Sequence, residues 1–136
     1  MFTLLTFENL DRSEVIGRVA TNRQIGEKGE QLALSFLSSQ GYLLLERNFR
    51  CRLGEIDLIM KDGKTVVFVE VKSRSSRNWG LPQEAVHPRK QAKIRRVAQY
   101  YLLLKKISEV PVRFDVVAVD FFERGRPVVN HLKGVF

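Results

Sequence analysis

The stretch GEIDLIMKDGKTVVFVEVK, at residues 54–72, carries three carboxylates of the kind that bind divalent cations, Glu55, Asp57 and Glu70, and one lysine, Lys72. Two carboxylates that face each other across a β-sheet destabilise it unless a positive charge lies between them. A bound divalent metal, with Lys72 beside it, would supply that charge. We therefore expect a metal site if the fold brings these side chains together.

A β-hairpin is the element that would bring them together. Asp-Gly at positions 62 and 63 separates two alternating apolar runs, which is a strong hairpin signal. A two-residue turn at these positions places Glu55 opposite Glu70 and Asp57 opposite Phe68. The four charged side chains then project from one face of the sheet.

The composition is typical of one soluble domain. The chain has 136 residues, 44% hydrophobic and 28% charged, which is enough for a core without disulfides. We expect a single domain at residues 21–136 after an N-terminal extension at residues 1–20, whose start MFTLLTF is too short for a secretion signal. No apolar run is long enough to cross a bilayer, and the lone Cys51 excludes an internal disulfide. A cytoplasmic protein without a membrane partner is expected.

The net charge of +8 is concentrated in one part of the chain. Between Lys72 and Lys106 there are ten Lys or Arg residues and one acidic residue, Glu84, so this tract carries +9 and the remainder −1. Such a tract is typical of a surface that binds the phosphate backbone of a nucleic acid. The alternative is a solvated helix face.

The loop SRSSRNWGLPQ, at residues 73–83, borders the charged stretch and carries the single tryptophan. Trp79, with Arg74 and Arg77 close by in sequence, could stack on an unpaired base or wedge into a duplex. It could equally fold down as a lid over the core.

A first helix should begin after Thr21 or Asn22 and end near Gln40, where Gly41 follows as a stop signal. Glu30 heads the apolar stripe of this helix. A carboxylate there either interacts with the positive end of the helix dipole or reaches the charged face of the hairpin as an outer metal ligand. The residue chemistry alone slightly favours the dipole.

The remaining pattern completes a mixed sheet. Its elements are a strand at residues 42–50 with a charged end suited to a sheet edge, the two hairpin strands, a helix from Pro88 to about Lys105, and strands at residues 112–121 and 127–132. Val67, Val69 and Val71 point away from the charged face of the hairpin, so helices should cover both faces of the sheet. The order of elements gives an α/β sandwich.

Two smaller assignments concern the second helix and the fourth strand. Lys90 lies one turn before the buried Ile94 and should point toward the charged face. Arg113 and Asp115 share one face of the fourth strand, and the simplest role for such a pair is structural.

Four short motifs together carry a resemblance to a known family. Asp57, followed after twelve residues by Glu70-Val71-Lys72, matches the PD-(D/E)XK nuclease pattern, with Ile56 in place of its proline. GEKGE at 26–30, GEIDLI at 54–59, FVEVKSR at 68–74 and RFDVV at 113–117 resemble the YraN-type family of small bacterial endonuclease-like proteins, which are similar in fold to archaeal Holliday junction resolvases. The resemblance covers about residues 22–121 and implies a restriction-endonuclease-like αβββαβ core.

The resemblance implies a catalytic site of Glu30, Asp57, Glu70 and Lys72. Asp57 and Glu70, with the carbonyl of Val71, would hold Mg²⁺ or Mn²⁺, because hard cations prefer oxygen ligands. Lys72 would position or deprotonate the attacking water or stabilise the phosphate, and the metal would lower the pKa of its bound water. Glu55 is either an outer or second-metal ligand or a surface carboxylate.

The residues expected to contact nucleic acid are Arg74, Arg77, Trp79, Gln83, Arg89, Lys90, Lys93 and Arg96. The expected function is metal-dependent hydrolysis of phosphodiester bonds in branched or structured DNA, with RNA as the other substrate class and repair or recombination proteins as partners. A two-fold homodimer would supply two sites for cutting two strands.

Two other classes of function are open. One is a non-catalytic nucleic-acid-binding module with the same fold, and the other is an interaction domain whose basic face meets an acidic protein. An Arg or Lys head between Asp57 and Glu70, in place of a divalent ion, would favour a structural cluster.

Overall fold

The computed structural model describes residues 21–75, 87–121 and 126–136. Within these ranges the elements follow in the order α1 (Asn22–Ser39), β1 (Leu43–Cys51), β2 (Gly54–Asp62), β3 (Thr65–Arg74), α2 (Pro88–Leu104), β4 (Val112–Asp120) and β5 (Val128–Leu132). The predicted order of elements is confirmed. The expected N-terminal extension, residues 1–20, lies outside these ranges.

The five strands form one mixed sheet in the order β1-β2-β3-β4-β5. Neighbouring strands are antiparallel except β3 and β4, which are parallel. Parallel strands need a crossover connection, and α2 lies between β3 and β4 in the chain. The architecture is the predicted α/β fold with a restriction-endonuclease-like core, and β1 lies at a sheet edge as expected.

A helix covers each face of the sheet, so the prediction that both faces are buried is confirmed. On one face α1 packs on the strands through Leu32, Ala33, Leu37, Leu58, Met60, Val67, Val69, Val117 and Val119. On the other face α2 packs on them through Ile94, Val97, Ala98, Tyr101, Ile56, Ile59, Phe68 and Val116. Burial of these two apolar layers supplies the main driving force for folding.

Local signals set the helix ends. Thr21 caps α1 in a capping box with Gln24, and Gly41 follows the helix with φ of 95°. The side chain of His87 accepts a hydrogen bond from the amide of Arg89 and caps α2. In the described stretches, neither helix is apolar over a length that could cross a membrane.

The hairpin register differs from the predicted one. The turn consists of Gly63 and Lys64, because Asp62 still pairs with Thr65. Gly63 has φ of 61°, and it occupies the first turn position, where type II′ turns favour glycine. Asp62 stays in the strand because its carboxylate accepts a hydrogen bond of 3.1 Å from Arg113 on β4.

This shift changes which residues face each other. Leu58 pairs with Val69, so the next position along the two strands sets Asp57 beside Glu70. The predicted opposition of Glu55 to Glu70 is therefore wrong. Glu55 instead pairs with Arg50 on β1, with an ion pair of 3.0 Å.

Strand β1 changes faces at Asn48. Arg47 donates a hydrogen bond of 3.1 Å to Gln31 on α1, whereas Phe49, two residues later, packs in the α2 layer. Residues two apart in a regular strand share a face. The switch is made by Asn48, whose φ of 54° lies in the left-handed region that asparagine tolerates better than most residues.

Strand β2 makes the matching switch at Asp57. Ile56 belongs to the α2 layer and Leu58 to the α1 layer, although they are also only two residues apart. The side chain of Asp57 therefore stands at the boundary between the two faces. This irregularity, which the hydrophobic pattern does not reveal, positions the candidate site.

A buried ion cluster joins strand β4 to β5 and to the end of β2. Asp115 is fully buried and accepts hydrogen bonds from both Arg113 Nε and Nη2, from His131 Nε2 and from the amide of Gly134, at 2.8–3.0 Å. Arg113 also donates to Tyr42 Oη. Burial alone would raise the pKa of Asp115, but the hydrogen bonds from His131, Arg113 and Gly134 lower it overall. The pair is structural, as expected.

Replacing Asp115 with alanine should lower the free energy of unfolding by about 3 kcal/mol, because Arg113 and His131 would lose the carboxylate that they share. Urea denaturation measures the loss. The matched control is Glu27→Ala, which removes an exposed ion pair with Arg23 within α1 and should change stability by less than about 0.5 kcal/mol. Equal losses in the two variants would contradict the structural role.

The outer edge strand β1 exposes an apolar segment. The side chains of Leu43, Leu44 and Leu45 are 65%, 44% and 38% exposed. The pairing of β1 with β2 is interrupted between Leu44 and Glu46, where an extra residue forms a bulge.

Candidate functional site

The candidate site lies where β2 leaves β3. Pairing between these strands ends at Leu58 and Val69, while β3 continues beside β4 as far as Arg74. In the gap, Asp57 Oδ2 accepts a hydrogen bond of 2.8 Å from the amide of Val71. A side chain thus takes the place of a backbone acceptor, and the end of the sheet is held open.

Two cavities flank this gap. The α2-side cavity, of about 400 Å³, is lined by Arg50, Cys51, Gly54, Glu55, Asp57, Glu70, Lys90, Lys93 and Ile94. The α1-side cavity, of about 260 Å³, is lined by Asn22, Gly26, Glu30, Asp57, Glu70, Val71, Lys72, Ser73 and Lys90. Asp57, Glu70 and Lys90 line both, so they form the wall between the two cavities.

Asp57 and Glu70 form a carboxylate pair at the wall between the two cavities. Glu70 is 7% exposed and Asp57 is partly buried. Burial, and then the neighbouring Glu70 carboxylate, raise the pKa of Asp57 to about 8, although the Val71 amide acts in the opposite direction. Near neutral pH the pair therefore tends to retain a proton unless a cation replaces it.

Lys90 supplies a positive charge to this pair from the start of α2, where the sequence places it. Its Nζ lies 2.5 Å from Glu70 Oε2, and its side chain is 52% exposed. Burial lowers the pKa of Lys90, but the hydrogen bond to Glu70 and the nearby carboxylates raise it above its usual value overall.

Glu30 lines the α1-side cavity together with the carboxylate pair. It follows the first helical residue, Asn22, by eight positions, whereas dipole effects are confined to the first turn. The preference for a dipole role was therefore wrong. Burial raises the pKa of Glu30, while a hydrogen bond with the Asn48 side chain and the charge of Arg47, 4.0 Å away, act against the rise.

The charged face expected from the hairpin is divided between the two cavities. Lys72 and Val71 line the α1-side cavity with Glu30, and Glu55 lines the α2-side cavity beside Arg50. Only Asp57 and Glu70, of the expected carboxylates, belong to both.

The residues expected to contact nucleic acid differ in their exposure to solvent. Arg89, Lys93 and Arg96 are exposed on α2, at spacings of four and three residues that set them on one face. The prediction for Arg74 is wrong, because its guanidinium is buried and pairs through two hydrogen bonds with Asp120. Arg77, Trp79 and Gln83 lie outside the described residues.

The sequence reading missed two features of the site. Asn48 holds Glu30 through its side chain, and only the tolerance of asparagine for positive φ hinted at an unusual position. Gly29 lets α1 approach the end of β3, because a Cβ atom there would lie 1.8 Å from Ser73 Oγ. By contrast, no described atom lies within 4 Å of a Cβ atom placed on Gly26, which lines the α1-side cavity.

The oxygen ligands available at the site suit a hard divalent cation that takes only a few of its ligands from the protein. Across the three described stretches, no group of three or more His, Cys, Asp or Glu side chains is arranged to hold a metal ion. Mg²⁺ needs less, because it keeps several waters and is commonly bound by one or two carboxylates plus substrate phosphates. The Asp57–Glu70 pair, with Val71 beside it, fits that requirement.

The fold and the position of these residues define an α/β protein of the restriction-endonuclease-like superfamily, with its candidate site at the open end of the sheet. The model of the uncharacterised protein family UPF0102 matches residues 29–119, and the chain belongs to this family, which is the YraN-type family expected from the motifs.

Two UPF0102 proteins illustrate the similarity. That of Syntrophus aciditrophicus is 50% identical over 111 residues, covering 82% of this chain and 87% of its own. That of Caldicellulosiruptor saccharolyticus is 50% identical over 115 residues, covering 84% and 98%. Among solved structures, SfsA of Pyrococcus furiosus in complex with Ca²⁺ aligns with 82% of this chain and 63% of its own, at 16% identity and a TM-score of 0.38.

The two glycines of GEKGE should respond oppositely to alanine. Gly29→Ala should lower the melting temperature, because the new Cβ collides with Ser73. Gly26→Ala should raise stability by about 0.4–1 kcal/mol, because alanine favours the helix and meets no atom there. Adding Ser73→Ala to Gly29→Ala should restore part of the loss. A loss of stability in Gly26→Ala as large as that in Gly29→Ala would contradict the packing.

Asp57 should make the metal-free protein less stable as pH rises from about 4 to 8. In this window the unfolded chain has released the Asp57 proton and the folded chain retains it, so stability falls with rising pH. Asp57→Asn should remove that slope, so its gain in melting temperature over the wild type, measured with a chelator, should be larger at pH 8 than at pH 5. Glu55→Gln, at an exposed carboxylate, is the control. A gain independent of pH would refute the assignment.

Proposed function

We propose that this protein is a metal-dependent nuclease that hydrolyses phosphodiester bonds of DNA, with branched or otherwise structured DNA as its substrate class. The observation that carries the proposal is the close approach of Asp57 and Glu70 at the open end of the sheet, with Glu30 and Lys72 in the adjoining cavity. A pair of partly buried carboxylates that repel each other destabilises the metal-free fold, and binding of a divalent cation would offset that cost.

Each residue has a role in this proposal. Asp57 and Glu70, with the carbonyl of Val71, would hold Mg²⁺ or Mn²⁺, which when bound supplies Lewis-acid activation and a more acidic water. Lys72 would orient the attacking water, help deprotonate it or stabilise the phosphate, and Glu30, which lines the same cavity, would act as an outer ligand of the metal. The amide of Val71 keeps Asp57 in place.

The surroundings of the cavities suit a phosphate backbone. Arg89, Lys93 and Arg96 form an exposed basic face on α2, next to the α2-side cavity that Lys93 also lines. Gly26 leaves open space at the α1-side cavity, at a position where glycine weakens the helix relative to alanine. Close approach of a ligand backbone is a physical reason for glycine there.

A Lys or Arg head between Asp57 and Glu70 was expected to favour a structural cluster, and Lys90 does place its head beside Glu70. One structural ion pair of this protein, Arg74 with Asp120, has both side chains more than 90% buried. Lys90 is half-exposed, and its position resembles that of a replaceable cation more than that of a fixed one.

A second candidate is a nucleic-acid-binding module without catalysis. It is favoured by the small donor set, in which the described residues supply no third carboxylate close enough to complete a protein cage. Binding that weakens steeply with salt is expected of both candidates, so only cleavage separates them.

The test is cleavage of junction, flap, single-stranded and duplex DNA, and of a matched structured RNA, with Mg²⁺ or Mn²⁺. We expect cleavage of branched DNA by the wild type and a loss of at least about a hundredfold in Glu70→Gln and Lys72→Met, because each removes a group that acts on the reacting phosphate.

The control variants are Glu27→Gln and Lys64→Met, which neutralise the same residue types at exposed positions on α1 and in the hairpin turn. They should cut like the wild type. Equal cleavage by all five proteins would identify a contaminant. Salt-sensitive binding without product in either metal would leave the non-catalytic module.

A further inference from the structure

Lys90 occupies the position from which a cation would neutralise the carboxylate pair. Its ammonium group contacts Glu70 Oε2, and Lys90 shares the wall between the two cavities with Asp57 and Glu70. A divalent cation bound by both carboxylates would lie against this ammonium group, and the two positive charges would repel each other. Lys90 and such a cation therefore disfavour each other.

The side chain of Lys90 is held less firmly than a buried, bidentate ion pair would hold it. Its stem is flexible and half-exposed, and a lysine ammonium makes no fixed bidentate pair with a carboxylate. Arg74, in contrast, holds Asp120 through two hydrogen bonds in a buried setting. Lys90 lines the α2-side cavity together with Lys93, so a Lys90 head released from Glu70 would still lie near a second positive charge.

We infer that Lys90 is a displaceable counter-ion, which neutralises the carboxylate pair until a divalent cation replaces it and then binds a nucleic-acid phosphate beside Lys93 in the α2-side cavity. This inference rests on the proposed function, because it places metal and nucleic acid at the same carboxylates. Metal binding frees Lys90 to bind a phosphate. Conversely, a phosphate bound to Lys90 leaves the carboxylates free to bind metal. The two ligands therefore bind with positive coupling, which is reciprocal.

The first measurement is Mn²⁺ affinity by isothermal titration calorimetry without nucleic acid. Lys90→Met should bind Mn²⁺ roughly tenfold more tightly than the wild type, which corresponds to about 1.4 kcal/mol of competition removed. Lys93→Met is the matched control. Lys93 lines the same cavity one turn further along α2, but the ion pair with Glu70 is formed by Lys90. Its Mn²⁺ affinity should stay within about twofold of the wild type.

The second measurement is the affinity for a labelled DNA junction by fluorescence anisotropy, with EDTA and with Ca²⁺, and with the probe checked for integrity on a gel. Lys90→Met should weaken binding in Ca²⁺ and have little effect in EDTA, because Lys90 is held by Glu70 when metal is absent. Lys93→Met should weaken binding in both conditions.

Lys90→Gln should reproduce Lys90→Met in both measurements, and thermal melts check that both variants fold. The inference is overturned if Mn²⁺ affinity in both Lys90 variants stays within twofold of the wild type, or if Lys93→Met tightens it equally. Neither measurement depends on turnover. Absence of cleavage together with tighter Mn²⁺ binding would refute the proposed function and leave the counter-ion role standing, and the reverse result would refute the counter-ion alone.

Discussion

Asp57 and Glu70 lie side by side at a partly buried position, and their mutual repulsion is the constraint that the surrounding structure accommodates. Strand β2 leaves the ladder at this point, so that a backbone amide on β3 is available to the Asp57 carboxylate. Helix α2 begins where Lys90 can reach Glu70. With these contacts the fold tolerates the carboxylate pair, and the pair remains accessible from two cavities. A cation-binding site requires both properties.

The rest of the fold supplies the rigidity that such a pair needs. The parallel register of β3 and β4 continues past the site, and the buried pair of Arg74 and Asp120 fastens its last residues. Close packing of Gly29 on Ser73 sets the distance of α1 from the same strand end. One position before Glu70 in that register, Asp115 pairs with Val69 and joins β4 to β5. The unfavourable interaction is thus held between two well-fastened regions.

Much of this could be predicted from the sequence, and the failures have specific causes. Caps and periodicity located both helices, and the valines of β3 predicted a sheet covered on both faces, because these signals are local. The hairpin register was wrong because Asp62 is held by Arg113, which is 51 positions away in the chain. Arg74 was misplaced for the same kind of reason, because its partner Asp120 is brought beside it by the parallel register of β4. The switch at Asn48 leaves no periodic signal.

The bulge in β1 has a consequence for the behaviour of the protein in concentrated solution. An edge strand with three exposed leucines is a template on which another chain could extend the sheet, and proteins commonly protect such edges with charge, proline or irregularity. Here the break between Leu44 and Glu46 interrupts the row of backbone groups beside the leucines. The outer edge is therefore irregular beside the leucines and charged further along, at Glu46, Arg47 and Arg50, and both features disfavour pairing with another chain.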